Sequence, residues 1–175
     1  MNATEPISIR SARTSDVPRI VALMEPLVAK RILLGKDLVD LYAAVPEFLV
    51  AVVDAPEGEE IIGYGAVHVM WEQLGEVRTL GVSQQYLGRG IGHLLLEALS
   101  DRARALGLTQ LFCLTFETDF FGRHGFDVVS ENAELVAAEV YAELLRSNDE
   151  GVAEFLDLAR VKPNTLGNTR MLKHL

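Results

Sequence analysis

Residues 85–92, Gln85-Tyr86-Leu87-Gly88-Arg89-Gly90-Ile91-Gly92, carry the densest chemical signal in the chain. Three glycines in five residues remove side chains where a backbone must approach a ligand closely. The stretch that follows reads as a helix, and its N-terminus presents unpaired N–H groups. Arg89 adds a cation. Together these features make a cradle suited to a pyrophosphate. A dinucleotide-binding fingerprint is the first rival, but the spacing is Gly-x-Gly-x-Gly, not Gly-x-Gly-x-x-Gly, and no matching acidic residue ends the next strand. A Walker loop is excluded because no Gly-Lys-Ser/Thr follows. The plainer alternative is a strand–helix turn whose glycines serve only close packing.

The cradle must be held by the elements around it. Ile7 to Arg10 alternates apolar and polar residues and predicts a short strand. Thr14-Ser15-Asp16-Val17-Pro18 supplies capping side chains and a proline tolerated in a first helical turn. Ile20, Met24, Leu27 and Val28 follow at helical spacing. A shorter helical pattern, Leu38, Leu41, Tyr42 and Val45, ends near Pro46. Phe48 to Val53 predicts a buried strand, and Asp54 to Glu60 is turn chemistry. Ile61 to Trp71 and Gly75 to Val82 predict two strands joined tightly as an antiparallel hairpin. Gly90 to Leu106 predicts a helix with Ile91, Leu94, Leu95, Ala98, Leu99, Arg102 and Leu106 on one stripe, stopped by Gly107. Leu108 to Thr115 predicts a buried strand. Strand, glycine turn, helix and strand make a crossover, so the flanking strands should be parallel if adjacent. Glu117 to Arg123 predicts a short helix, Gly125 to Val129 a strand, Ala133 to Arg146 an amphipathic helix with Glu134, Glu139 and Glu143 on the wet side, and Thr169 to Leu175 a terminal strand. Val152 to Leu158 takes no assignment. The fold class is α+β: a mixed, mostly antiparallel central sheet with helices on both faces.

Composition narrows the partners. At 175 residues the prior is one domain spanning 1–175. Hydrophobic residues at 49% supply a real core. The 16 basic against 25 acidic residues leave a net charge of −9, which argues against nucleic acid or an anionic membrane surface as main partner. A single cysteine forms no internal disulfide and no Cys-based zinc site, and it suits a reducing cytoplasm. The start, Met1-Asn2-Ala3-Thr4-Glu5-Pro6, lacks signal-peptide character, and no apolar run approaches the roughly 20 residues of a membrane helix. A cytoplasmic protein with a small-molecule ligand is the expectation. Its long apolar helices and terminal strand could support a homodimer.

Gln85-x-x-Gly88-x-Gly90, after Glu76-Val77-Arg78-Thr79-Leu80-Gly81-Val82, resembles the acetyl-CoA signature of the GNAT superfamily of N-acetyltransferases. Phe120-Phe121-Gly122-Arg123-His124-Gly125-Phe126 resembles its second landmark, an aromatic helix leading into a Gly-Phe strand. The resemblance implies pyrophosphate on the glycine turn (Gln85, Leu87, Gly88, Arg89, Gly90, Ile91, Gly92), pantetheine along Leu80, Gly81 and Val82, and a cofactor contact from Phe121. It implies acetyl-CoA as cosubstrate and no metal. A narrower resemblance joins the Glu76–Val82 strand, Leu111-Phe112-Cys113-Leu114-Thr115, Ile32-Leu33-Leu34-x-Lys36 and the tail Val161 to Leu172 to the acetyltransferase domain of N-acetylglutamate synthases, above all to short actinobacterial amino-acid N-acetyltransferases. It spans residues 7 to 175. Longer synthases carry an amino-acid-kinase-like domain that binds arginine, and inhibition at such a site is not carried over.

The resemblance implies Lys36, Arg78, Asn168 and Arg170 as substrate contacts, and Glu76 with Thr115 as catalytic groups. Each has a plainer reading. Glu76 and Arg78 share a strand face and would make a solvated ion pair; Lys36 and Arg170 would be solvated charges; Asn168 would be turn chemistry; Thr115 would cap the next turn. Cys113 reads as core, and His68 and His93 as structural. Arg123 and His124 flank a helix C-terminus, which is sufficient explanation for both. The aromatic helix has Phe120 and Phe121 where many GNAT enzymes carry a tyrosine acid, which leaves water to protonate the leaving thiolate. The expected activity is acetyl transfer to the α-amine of L-glutamate or L-glutamine, the first step of arginine biosynthesis. Two rivals are a GNAT enzyme for a protein N-terminus or polyamine and a non-catalytic acyl-CoA-binding sensor.

Overall fold

The β-branched and apolar runs become strands where the alternation predicts them. The computed structural model describes residues 6–33, 35–131 and 133–175; Leu34 and residues 1–5, which figure in the sequence readings above, lie outside the described residues. In chain order the elements are β1 (Ser8–Ser11), α1 (Val17–Ala29), α2 (Leu38–Ala43), β2 (Phe48–Ala55), β3 (Gly58–Trp71), β4 (Leu74–Val82), α3 (Ile91–Ala105), β5 (Gln110–Thr115), α4 (Thr118–Arg123), β6 (Asp127–Val128), α5 (Ala138–Leu144), α6 (Glu150–Phe155) and β7 (Thr169–His174). The strand order is β1-β2-β3-β4-β5-β7-β6. β1 with β2, β2 with β3, β5 with β7 and β6 with β7 run antiparallel. β4 and β5 run parallel through Leu74↔Gln110, Gly75↔Leu111 and Glu76↔Phe112, as the crossover through α3 requires. This is the α+β, mostly antiparallel sheet that the sequence predicts.

The chain divides into two compact units, Met1–His68 with Val77–Arg102, and Val69–Glu76 with Ala103–Leu175. In the first, Val17, Ile20 and Met24 of α1 and Leu41 of α2 pack with Phe48, Val50, Val52, Tyr64 and Ala66 on one sheet face. α3 covers the opposite face, where glycine lets it approach. A Cβ on Gly63 would lie 2.9 Å from a Leu95 methyl, and one on Gly65 2.8 Å from a Leu99 methyl. Each buried leucine of α3 contributes about 1.5–3 kcal/mol of burial. In the second unit, Phe112 of β5 meets Phe155 of α6 edge-on at 5.3 Å. Met70, Leu74, Leu144 and Val152 complete that cluster.

Several elements depart from the sequence reading. The α3 stripe is Ile91, Leu95, Leu96, Leu99 and Ala103, while Leu94 and Leu106 are exposed. The buried set Ile91, Leu95, Leu99 and Ala103 recurs every fourth residue, a spacing that keeps side chains on one helix face. The β2–β3 turn shrinks to Pro56-Glu57, since Asp54 pairs with Glu59 and Ala55 with Gly58. The amphipathic helix at Ala133 to Arg146 is helical only over Ala138–Leu144. Ala137 is extended, and Leu135 and Val136 before it pack into the Phe112 cluster, so burial overrides helical spacing there. The strand expected at Gly125 to Val129 is two residues long. The unassigned stretch holds α6, capped by the Asp149 carboxylate accepting from Val152 N at 3.0 Å. Asp16 does not cap α1. Its carboxylate accepts from Arg13 N at 2.7 Å and from the Arg10 guanidinium at 2.7 Å, tying β1 to the turn before the helix.

Candidate active site

The cradle lies in the first unit. A turn over Gln84–Tyr86 leads from β4 into the glycines, and Ser83 N donates to Ile62 O at 2.8 Å, anchoring the strand end. Gly88 and Gly90 have φ of 76° and 79°. Both are glycine for backbone conformation rather than packing, since a Cβ on either would meet nothing within 4 Å. That open space, with a helix start behind it, fits a phosphate group. The first bond of α3 runs from Leu94 N to Gly90 O, so the amides of Gly90, Ile91 and Gly92 precede the helical ladder. Arg89 stacks its guanidinium on the Tyr86 ring at 4.8 Å, and Tyr86 OH donates to Glu60 at 3.4 Å. Gln85, Leu87 and Arg89 are exposed.

β4 changes course just before its Leu80-Gly81-Val82 end. Thr79 takes φ 54°, a left-handed conformation that a β-branched residue adopts only under constraint, at a cost of about 1–3 kcal/mol. Gly81 is buried under the Tyr64 hydroxyl, which a Cβ at that position would overlap. Tyr64 is fully buried, its hydroxyl has no hydrogen-bond partner among the described residues, and burial pushes its ionisation up. The sequence reading missed Tyr64. Its signal is Gly63-Tyr64-Gly65, with small residues turned to α3 and one large residue to the other face. Lys36 is exposed in the segment between α1 and α2, and Arg78 is half-buried on β4.

In the second unit Glu76 is only 4% exposed. The solvated ion-pair reading therefore fails for Glu76, because its face is a core face. Its charge, after desolvation, helps push up the ionisation of Cys113, which is buried as expected. Thr115 Oγ1 accepts from Glu117 N at 2.8 Å, bracing the turn into α4. Phe121 is buried, with edge-on contacts to Phe120 and Phe126, each at 5.2 Å. Asn168 N donates to Thr165 O at 3.0 Å.

Arg170, opposite Leu114 on β7, is not the solvated charge of the plainer reading. Its side chain is 15% exposed. One Nη donates to the Phe155 carbonyl at the end of α6, the other lies 3.9 Å from Asp157, and Nε has no partner among the described residues. Burial lowers the Arg170 pKa, and the Asp157 charge opposes that shift. The result is a guanidinium oriented by a helix C-terminus. Asp157 is a second residue that the sequence reading missed. It stands at φ 56° just past α6, in the stretch left unassigned.

A glycine turn in left-handed backbone, opening onto a long helix from the end of a kinked strand, is the arrangement that the resemblance to acyl-CoA-dependent transferases implies. Residues 28–126 match the Acetyltransferase (GNAT) family, and the chain belongs to that family. Within it, the chain is 52% identical over 164 residues to an amino-acid acetyltransferase of Mycobacterium tuberculosis, covering 94% of this chain and 92% of that protein. The crystal structure of Rv2747 from Mycobacterium tuberculosis, in complex with CoA and NLQ, matches with a TM-score of 0.87 at 51% identity, over 96% of this chain and 99% of that one. An amino-acid acetyltransferase of Neisseria meningitidis is 34% identical over 72% of this chain. The match spans only 28% of that longer protein. No described helix is long and apolar enough to cross a membrane.

Proposed function

We propose that this chain is an amino-acid N-acetyltransferase that moves acetyl from acetyl-CoA to the α-amine of L-glutamate or L-glutamine, the first step of arginine biosynthesis. The observation that carries this reading is 52% identity over 94% of the chain to an amino-acid acetyltransferase. The left-handed glycine turn before α3 supports acetyl-CoA as cosubstrate. The half-buried, pre-oriented Arg170 supports an anionic group on the acceptor. In this reading residues 1–175 act as one acetyltransferase domain in the cytoplasm.

The residue roles follow from the same reading. Gln85, Leu87, Gly88, Arg89, Gly90, Ile91 and Gly92 receive the pyrophosphate, and Leu80, Gly81 and Val82 present backbone to the pantetheine. Phe121 acts through packing near the cofactor. Lys36, Arg78, Asn168 and Arg170 bind the acceptor. Glu76 takes the amine proton, directly or through water, and Thr115 orients the amine. The amine attacks the thioester directly in a ternary complex, with strand amides polarising the carbonyl. Thiol release from acetyl-CoA across a panel of amino acids, an N-terminal peptide and a polyamine tests this. Turnover with glutamate or glutamine is the expected result. Turnover only with the peptide or polyamine, or none at all, overturns it.

A further inference from the structure

The Asp157 carboxylate is shared by two cations. Its Oδ2 lies 3.3 Å from Lys162 Nζ and 3.9 Å from an Arg170 Nη. The Lys162 side chain is 57% exposed and that of Arg170 15%, so Asp157 links a solvated cation to a half-buried one. Arg170 does not need Asp157 to hold its place. The Phe155 carbonyl and the surrounding burial already orient it, and 3.9 Å is beyond a hydrogen bond. What Asp157 contributes is charge. Asp157, Lys162 and Arg170 sum to +1, and without Asp157 they would sum to +2.

We propose that Asp157 is a specificity-determining residue. By offsetting the positive charge at Arg170 it weakens the enzyme's preference for a dicarboxylate acceptor relative to the corresponding monoamide. The inference rests on the reading of Arg170 as an acceptor contact. The two acceptors match in shape and in the α-amino-acid head and differ by one net charge. A residue that only positions Arg170 would act through geometry, and its effect would persist as salt rises. A residue that sets the local field changes their ratio, and that change shrinks as salt rises.

The test compares kcat/KM for glutamate and glutamine in the wild type, Asp157→Asn, Lys162→Gln and Arg170→Ala. Asparagine tolerates the left-handed conformation at 157, so Asp157→Asn removes charge with little change of shape. One charge acting across several ångströms of partly solvated protein shifts the ratio about threefold or more. Asp157→Asn is expected to raise the glutamate-to-glutamine ratio by that factor, and Lys162→Gln to lower it, with both effects smaller in high salt. If Arg170→Ala raises acceptor KM while neither charge variant moves the ratio, the inference fails and the Arg170 reading stands. If Arg170→Ala leaves KM unchanged for both acceptors, the Arg170 reading fails and the inference falls with it. Should Asp157→Asn fold poorly, the opposite-signed Lys162→Gln shift still decides the question.

Discussion

Glu76 is a carboxylate on a core face, opposite Phe112 in the register. A buried carboxylate costs free energy unless it is paired and hydrogen-bonded, and the role proposed for this one is proton removal from an amine that is mostly ammonium at pH 7. Glu76→Gln keeps size and polarity and removes the base. It should lower kcat by at least about 10², with the deficit shrinking as pH rises and more amine arrives neutral. A pH–rate profile checks this, and a loss below fivefold at every pH would sink the base assignment. Arg170 gives a second test at this scale. Arg170→Ala should raise the amino-acid KM by the equivalent of about 1.5–3 kcal/mol and leave the acetyl-CoA KM nearly unchanged. Steady-state kinetics with each substrate varied in turn separates the two effects.

The glycine turn and the start of α3 act as one element. Gly90 sits at φ 79° with open space where a side chain would project, so substitution there disturbs the ligand more than the core. Aspartate tolerates left-handed backbone better than most residues, so Gly90→Asp mainly adds bulk and negative charge to an anion cradle. Acetyl-CoA affinity should fall tenfold or more, about 1.4 kcal/mol, with the fold retained. Calorimetry measures the loss, and unchanged affinity would move the cofactor site elsewhere. Gly81 behaves in the opposite way, because a Cβ there overlaps the buried Tyr64 hydroxyl. Gly81→Ala should destabilise the fold by about 1–3 kcal/mol, read as a lower unfolding midpoint. Both residues lie in readable motifs, yet only the backbone angle and the neighbour across the sheet separate a glycine kept for φ from one kept for space.

Across the whole molecule, net charge −9 makes acid stability a matter of which carboxylates are used in the folded state. Hydrogen bonds from Arg10 hold the Asp16 carboxyl below its usual range, against the opposing effect of burial. A depressed folded pKa contributes stability above the unfolded value near 3.8, and that contribution is lost as pH falls through the folded value. Asp16→Asn should therefore lower the unfolding midpoint at pH 7, by the equivalent of about 1–3 kcal/mol, and this gap should close in strong acid. Thermal melts from pH 7 down to pH 2 follow it. The sequence by itself determined the order of the strands and of every helix but α6, the parallel sense of β4 and β5 once they are adjacent, and the position of the glycine turn. All three are written in local alternation, helical spacing and glycine placement, which neighbouring residues impose on one another. Only the tertiary structure decided that α5 is short, that Glu76 is buried, that Tyr64 lies over Gly81, and that Arg170 is oriented by α6 and shared with Asp157. These depend on which distant segments meet, and no local period encodes which side chain a folded neighbour will cover.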